Sequence, residues 1–259
     1  LSLTPRIHVD INCDMAESFG PYSLGQDELI MPHITSANIA CGFHAGDPSF
    51  MQKTVALAKT HGVRVGAHPG YPDLAGFGRR YMAMTPNEVY DAVVYQIGAL
   101  LGVARTQRTE VTHVKVHGAL YNAAAVDARL AAAIARAVRD VDSALWLVGM
   151  GGSKLIDEGL AAGLAVAREV FADRAYQADG ALVPRGNPGA VYTDVNLVVR
   201  QALDMVTRGF VTAVTGERIA VTADTICVHG DSPHALQFVS AMRKALGEAG
   251  VAFSPLGGR

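Results

Sequence analysis

The chain has 259 residues, 50% of them apolar and 18% charged, with a formal net charge of −2 and an isoelectric point near 6.5. That length suits one large domain or two small ones, and the balance of charge gives no electrostatic reason to expect nucleic acid or an anionic membrane. The longest apolar runs, such as 159–167, are about nine residues, far below the roughly 20 that span a bilayer.

In chain order the pattern is strand, polar loop, helix, repeated. "IHVDINCD" leads through a loop to "NIACGFH", and a helix then opens with Asp47 as N-cap, Pro48 at its first position and Gly62 after its end. "VRVGAH" follows, then a long loop over 69–84, then a helix opened by the capping box Thr85-Pro86-Asn87-Glu88, with Val89, Val93, Ile97 and Leu101 on one stripe. "THVKVHG" precedes a helix that carries Leu130, Ile134, Val138 and Val141 on one face, and "LWLVG" precedes a helix at Ser153. "LAVAREV" runs into a long loop over 173–192, whose glycines and prolines suggest a mobile lid. A helix over 197–208 follows, then a small hairpin within 210–222, then the last strand, "TICVHG", and a final helix capped at Ser232-Pro233.

Regular strand–helix alternation predicts a parallel sheet covered by helices, with no linker dividing the chain. The alternatives are an open doubly wound sheet and a closed barrel. Parity separates them, because alternate side chains of a strand face opposite sides. In "IHVDINCD" Ile7, Val9, Ile11 and Cys13 alternate with His8, Asp10, Asn12 and Asp14. Four further strands alternate in the same way, with Asn38, His44, His68, His113, Lys115, His117, Thr225 and His229 on the more polar side. Strands sandwiched between two helix layers are apolar on both faces. A closed α/β barrel resolves the conflict, with apolar faces turned outward onto helices and polar faces turned in around a wet or ligand-filled lumen. The expectation is one such barrel over 1–259.

In α/β barrels the loops at the carboxyl ends of the strands build the site. Those ends supply Asp14 and Glu17, His44 and Asp47, His68 and Asp73, Lys115 and His117, Glu169 and Asp173, and His229 and Asp231. A carboxylate with two imidazoles from separate strands can hold a divalent metal, and the same groups without metal can serve as general acid and base. Lys115 is expected to meet anionic charge of a substrate or phosphate, against the plainer reading of a pair with Asp10 or Glu169. The run "GMGGS" at 149–153 precedes a helix and could receive an anion, but it lacks the phosphate-loop spacing GxxxxGK[ST]. Cys13, Cys41 and Cys227 form no CxxC pair and read as buried thiols of a reducing, cytoplasmic compartment. The N-terminus lacks the basic-then-apolar pattern of a signal peptide.

Six motifs, "VDINCDMAESFG", "SANIACGFHAGDP", "GAHPGYPDLAGFGRR", "VKVHGALYN", "EVFADRAYQADGALVPR" and "CVHGDSPHA", occur in one order from about Ile7 to Gly250. Together they resemble the LamB/YcsF family, whose members serve as the A component of bacterial 5-oxoprolinases. Two positions depart from the family pattern: Ala16 stands where glycine is usual, and Val116 where proline is usual.

The resemblance implies a TIM-like, distorted seven-stranded (β/α) barrel, similar to glycoside hydrolase and deacetylase barrels. It also implies ATP-dependent opening of the 5-oxoproline lactam to L-glutamate, carried out with the 5-oxoprolinase subunits B and C. ATP use is then shared with those partners or delegated to them. On this reading Asp14, Glu17, His44, Lys115, His117 and His229 are the expected catalytic residues. Asn12, Asp47, His68, Arg79, Glu169, Asp173 and Arg174 are expected to contact substrate. By similarity to deacetylase barrels, Asp14, His44 and His68 are the expected ligands of a divalent metal. Two rival readings are a stand-alone metal-dependent amidase or deacetylase and a non-catalytic lactam-binding protein.

Overall fold

The computed structural model describes residues 7–257. Strand β1 (His8–Met15) is followed by a short helix, α1 (Asp27–Ile30), a 3-10 turn (Met31–His33) and β2 (Ser36–Ala40). Next come α2 (Pro48–His61), β3 (Arg64–His68), α3 (Pro86–Thr106) and β4 (Val111–Lys115). Two consecutive helices, α4 (Gly118–Val126) and α5 (Ala128–Val141), lead to β5 (Trp146–Met150), α6 (Lys154–Ala161) and β6 (Val166–Phe171). Helix α7 (Val195–Leu203) ends in a turn of π-helix (Asp204–Arg208), then the strands β7 (Phe210–Thr212) and β8 (Arg218–Ala220). The chain finishes with β9 (Thr225–Val228), α8 (Ala235–Glu248) and β10 (Ala252–Phe253).

Strands β1 to β6 pair in sequence order, β9 joins β6, and β9 also pairs with β1, so seven parallel strands close into a barrel. β10 extends the sheet beside the start of β1, and β7 and β8 form a separate antiparallel hairpin. The parity seen in the sequence is the cause of this closure. Ile11, Cys13, Ile39, Val65, Val114 and Ile226 are buried in the apolar layer under the helices. Their alternates converge on the lumen.

The lumen differs from the expected wet space. Asp10 accepts from Thr35, Ser36 and Thr225; Asn12 donates to Glu169 and Thr225; Asn38 donates to Asn12 and Asp14. His113 Nε2 bonds Asn38 Oδ1 at 2.9 Å. Short polar side chains at facing positions satisfy one another, so the lower lumen is a closed hydrogen-bonded core.

Helix ends follow the expected chemistry in most places. Asp47 caps α2 through the amides of Ser49 and Phe50, and Gly62 closes it at φ 67°, in the left-handed region that favours glycine. Thr85 and Glu88 form the capping box of α3. Two expectations need correction. The segment 118–126 forms α4, which the alanine-rich sequence conceals because it has little amphipathic contrast. The final helix starts at Ala235, since Ser232 Oγ accepts from His234 N in a turn that precedes it. Among the described residues no helix is long and apolar enough to cross a membrane.

Candidate active site

Above the polar core, at the carboxyl ends of the strands, lies a cavity of about 510 Å3 lined by Asp14, Glu17, His68, Lys115, His117 and His229 among others. Its floor is an ion-pair network. Lys115, at the last position of β4, places Nζ 2.8 Å from Glu169 Oε1 and 3.0 Å from Asp14 Oδ1, with Asn12 Oδ1 at 3.2 Å. The partner expected at Asp10 is replaced by Asp14, since Asp10 is held one layer lower by three hydroxyls. Burial alone would strip the proton from Lys115, but Asp14 and Glu169 hold its ammonium well above the usual lysine value. Burial would likewise raise Asp14, yet the His68 imidazole and Lys115 bring it well below the carboxylate range. Asp14 is therefore an ionised acceptor. Glu169 Oε2 and the Tyr121 hydroxyl are both buried and unpaired at this level.

One wall is built from imidazoles. His68 ends β3, His117 follows β4, and His44 comes from the loop after β2. His68 Nδ1 donates to Lys115 O at 2.6 Å, and its Nε2 lies 2.9 Å from His117 Nδ1. His117 Nε2 donates to Phe77 O at 2.8 Å. The His44 ring stacks on His117 at 3.7 Å with planes 6° apart, and its Nε2 lies 3.4 Å from Glu17 Oε1. Burial, with the neighbouring rings, keeps His44 and His117 well below the usual imidazole value. Glu17 is pushed well above the carboxylate range by burial, then by Asp14 and Asp231.

Backbone detail makes this packing possible. Ala16, just after β1, adopts φ 60°, a left-handed conformation that costs an L-residue on the order of 1 kcal/mol. This gives the departure from the family's glycine its physical meaning: the turn that presents Glu17 needs that conformation. Gly78, at φ 61°, lies so close that a Cβ there would meet His44 Cβ at 2.7 Å and His117 Cδ2 at 2.8 Å.

The opposite wall is cationic. Asp173 holds His229 Nδ1 at 2.8 Å. Burial would raise this carboxyl, but His229 and nearby arginines set it below its ordinary 3.8. Arg174 is fastened by Ala190 O and Val183 O, and burial lowers it to about 10. The 173–192 segment thus forms a wall of the cavity, with Leu182, Pro184 and Arg185 facing it. Arg79 lies across the mouth, paired with Asp231 at 2.6 Å and stacked 4.8 Å from the centre of the Phe77 ring.

Most of the expected site residues converge here, and five are not in the cavity lining, Asp173 among them because it lies against His229 Nδ1. Asp47 caps α2 and accepts from Gly20 N, so its carboxylate is engaged in structure. Asn12 and Glu169 lie beneath Lys115, and His44 sits behind Glu17 and His117. Asp73 is clamped by Arg80 in the same loop. The three donors expected together for a metal also divide. His44 and His68 group with Glu17 and His117, while Asp14 groups with Cys227 and His229, although Asp14 Oδ2 remains 3.4 Å from His68 Nε2.

Sequence reasoning missed Gln96. It interrupts the apolar stripe of α3, and its amide brackets both the N–H and the C=O of Gly70, pinning the loop after β3. A lone glutamine inside a buried stripe was the available signal.

The LamB/YcsF family model matches residues 9–259. A Bordetella pertussis protein, named as the A component of 5-oxoprolinase, is 58% identical over 244 residues, covering 94% of this chain and 97% of that one. Its Bacillus subtilis counterpart of the same name is 54% identical, covering 94% and 95%. The crystal structure of a lactam utilization protein from Thermus thermophilus superposes with a TM-score of 0.92 at 48% identity, covering 96% of this chain and all of that one. A peptidoglycan N-acetylglucosamine deacetylase domain from Eubacterium rectale shares the fold at a TM-score of 0.50 and 14% identity, covering 98% and 90%. With near-complete coverage at such identity, the chain belongs to the LamB/YcsF family.

Proposed function

We propose that this chain is the A component of an ATP-dependent 5-oxoprolinase, in which it binds the lactam and opens it to L-glutamate. The observation that carries this reading is the cavity's divided polarity: carboxylates and imidazoles share its lining with the guanidinium groups of Arg79, Arg174 and Arg185. A compact lactam bearing one carboxylate suits that division, and the cavity lies within the usual size range for small-molecule sites.

A five-membered lactam is an unactivated amide. Transfer of the ATP γ-phosphoryl group to the lactam oxygen gives ADP and an imidate phosphate. Water then adds to the ring carbon, the ring C–N bond breaks and nitrogen takes up a proton, which leaves an acyl phosphate; a second water hydrolyses that to the free carboxylate and inorganic phosphate. In this scheme Arg79 and Arg174 hold the substrate carboxylate. His229, oriented by Asp173, presents Nε2 as the base for water. Glu17, with its raised pKa, is suited to give a proton to the departing nitrogen. ATP itself is shared with or delegated to subunits B and C. Gly149–Ser153 precedes α6, but the Ser153 hydroxyl already caps that helix.

The imidazole cluster favours a second reading, a metal-dependent amidase that needs no ATP. Calorimetric titration of the isolated chain tests lactam recognition: 5-oxoproline is expected to bind, and 2-pyrrolidinone, which lacks the carboxylate, is not. Equal binding of both, or of neither, contradicts the proposal.

A further inference from the structure

A carbonyl oxygen has no proton to give, so a ring nitrogen that bonds one must carry the hydrogen. This settles the tautomers of two histidines. His68 Nδ1 faces Lys115 O, and His117 Nε2 faces Phe77 O. Each neutral ring is left with a lone pair on its other nitrogen, and those two nitrogens face each other at 2.9 Å. Two acceptors at that separation repel unless a positive species lies beside them both.

The surroundings are built for such a species. Glu17 Oε1 lies 3.6 Å from His117 Nδ1, and Asp14 Oδ2 lies 3.4 Å from His68 Nε2. Bonds of roughly 2.0–2.2 Å to a tetrahedral ion place its ligand atoms about 3.3 Å apart. The observed 2.9 and 3.6 Å bracket that value. The carbonyls that hold the remote N–H groups are the outer partners that metal-ligating histidines use to fix their rings.

We infer that Glu17 Oε1, His68 Nε2 and His117 Nδ1 bind one divalent transition-metal ion of the Zn2+ type, leaving a coordination position open to the cavity. Two imidazoles and a carboxylate suit Zn2+, Fe2+ or Co2+ rather than Mg2+ or Ca2+, which prefer all-oxygen sets. The open position follows from the cavity itself, which all three residues line. His44 is a positioning residue and not a ligand. Its ring lies flat against His117, so an ion in the plane of His117 is out of the plane of the His44 lone pairs. Its Nε2 reaches the Glu17 carboxylate instead. The inference rests on ring geometry and stands apart from the lactam reading; with the ion bound Glu17 is an ionised ligand, and the proton for the departing nitrogen then comes from His229, which has taken one from water.

The test is titration of the full chain, stripped of metal by chelation, with Co2+. One equivalent is expected to bind, with the intense visible absorption of a four-coordinate ion, and Zn2+ is expected to displace it. Glu17→Gln and His117→Gln should each weaken binding by about tenfold or more, while His61→Gln, at the exposed end of α2, leaves it unchanged. Wild-type protein supplies a second readout that needs no variant: two paramagnetically shifted imidazole N–H resonances, from His68 Nδ1–H and His117 Nε2–H. Absence of saturable binding overturns the proposal, as does undiminished binding by folded His117→Gln. A far-downfield proton shared between the two rings that persists after Co2+ is added also overturns it.

Discussion

Lys115 and Glu169 form a buried ion pair at 2.8 Å, and Asp14 closes on the same ammonium at 3.0 Å. One cation is thus shared by two buried carboxylates, so Lys115 is structural as well as positioned at the cavity. Lys115→Met leaves both carboxylates uncompensated and is expected to cost about 3–5 kcal/mol. At roughly 2–4 °C per kcal/mol for a chain near this size, thermal unfolding should start some 10 °C lower. Adding Glu169→Gln to that variant should recover part of the loss. A melting temperature equal to wild type for the single variant would show that the network carries no stability.

His113 gives the acid response a definite sign. Burial, and then Lys115, lower it from 6.5 to about 3. The unfolded chain takes up a proton below 6.5 that the native state refuses until about 3, so stability falls as pH drops through that window. His44 and His117, lowered in the same way, act in the same direction. The His113→Gln variant should therefore gain on wild type as pH falls, by at most about 1.4 kcal/mol per pH unit. Urea unfolding at a series of pH values measures this, and parallel curves would contradict it.

Arg174 ties the long loop to itself through two backbone carbonyls. Arg174→Ala leaves Val183 O and Ala190 O without those donors and is expected to cost about 1–3 kcal/mol locally. Amide hydrogen exchange should quicken over 175–190 while the barrel strands stay protected. Uniform quickening across the barrel would mean that the loop is no separate unit.

The barrel was legible because five of the seven barrel strands carry their polar residues on one parity, a pattern that an open two-sided sheet does not tolerate. The convergence of Asp14, His68, Lys115, His117 and His229 followed from the same parity. What escaped the sequence depends on loop conformation. His44 lies four residues beyond the end of β2, so strand parity cannot place it, and its position follows from the close approach of Gly78. Glu17 reaches the imidazoles through the left-handed turn at Ala16, where alanine hides the signal a glycine would give. Asp47 has the composition of a ligand and the position of a cap, and the cap won because three amides converge on it.

The Asp173–His229 pair should set turnover rather than affinity. Asp173→Asn and His229→Gln, assayed in the complex reconstituted with subunits B and C, are expected to lower kcat by about 10²–10⁴-fold with little change in KM. Asp173, held below 3.8, also contributes stability that is present above that value and lost as pH falls below it. Its variant should therefore differ from wild type less at pH 3 than at pH 7. A raised KM with unchanged kcat would assign the pair to substrate binding.

The most direct test is release of L-glutamate from 5-oxoproline, measured for this chain alone and again with subunits B and C, with and without ATP. Little or no glutamate is expected from the chain alone. ATP-dependent release is expected once the partners are present, near the typical enzyme rate of about 10 s⁻¹. Steady ATP-coupled release by the isolated chain would contradict the division of labour, and release without ATP would contradict the phosphorylated intermediate.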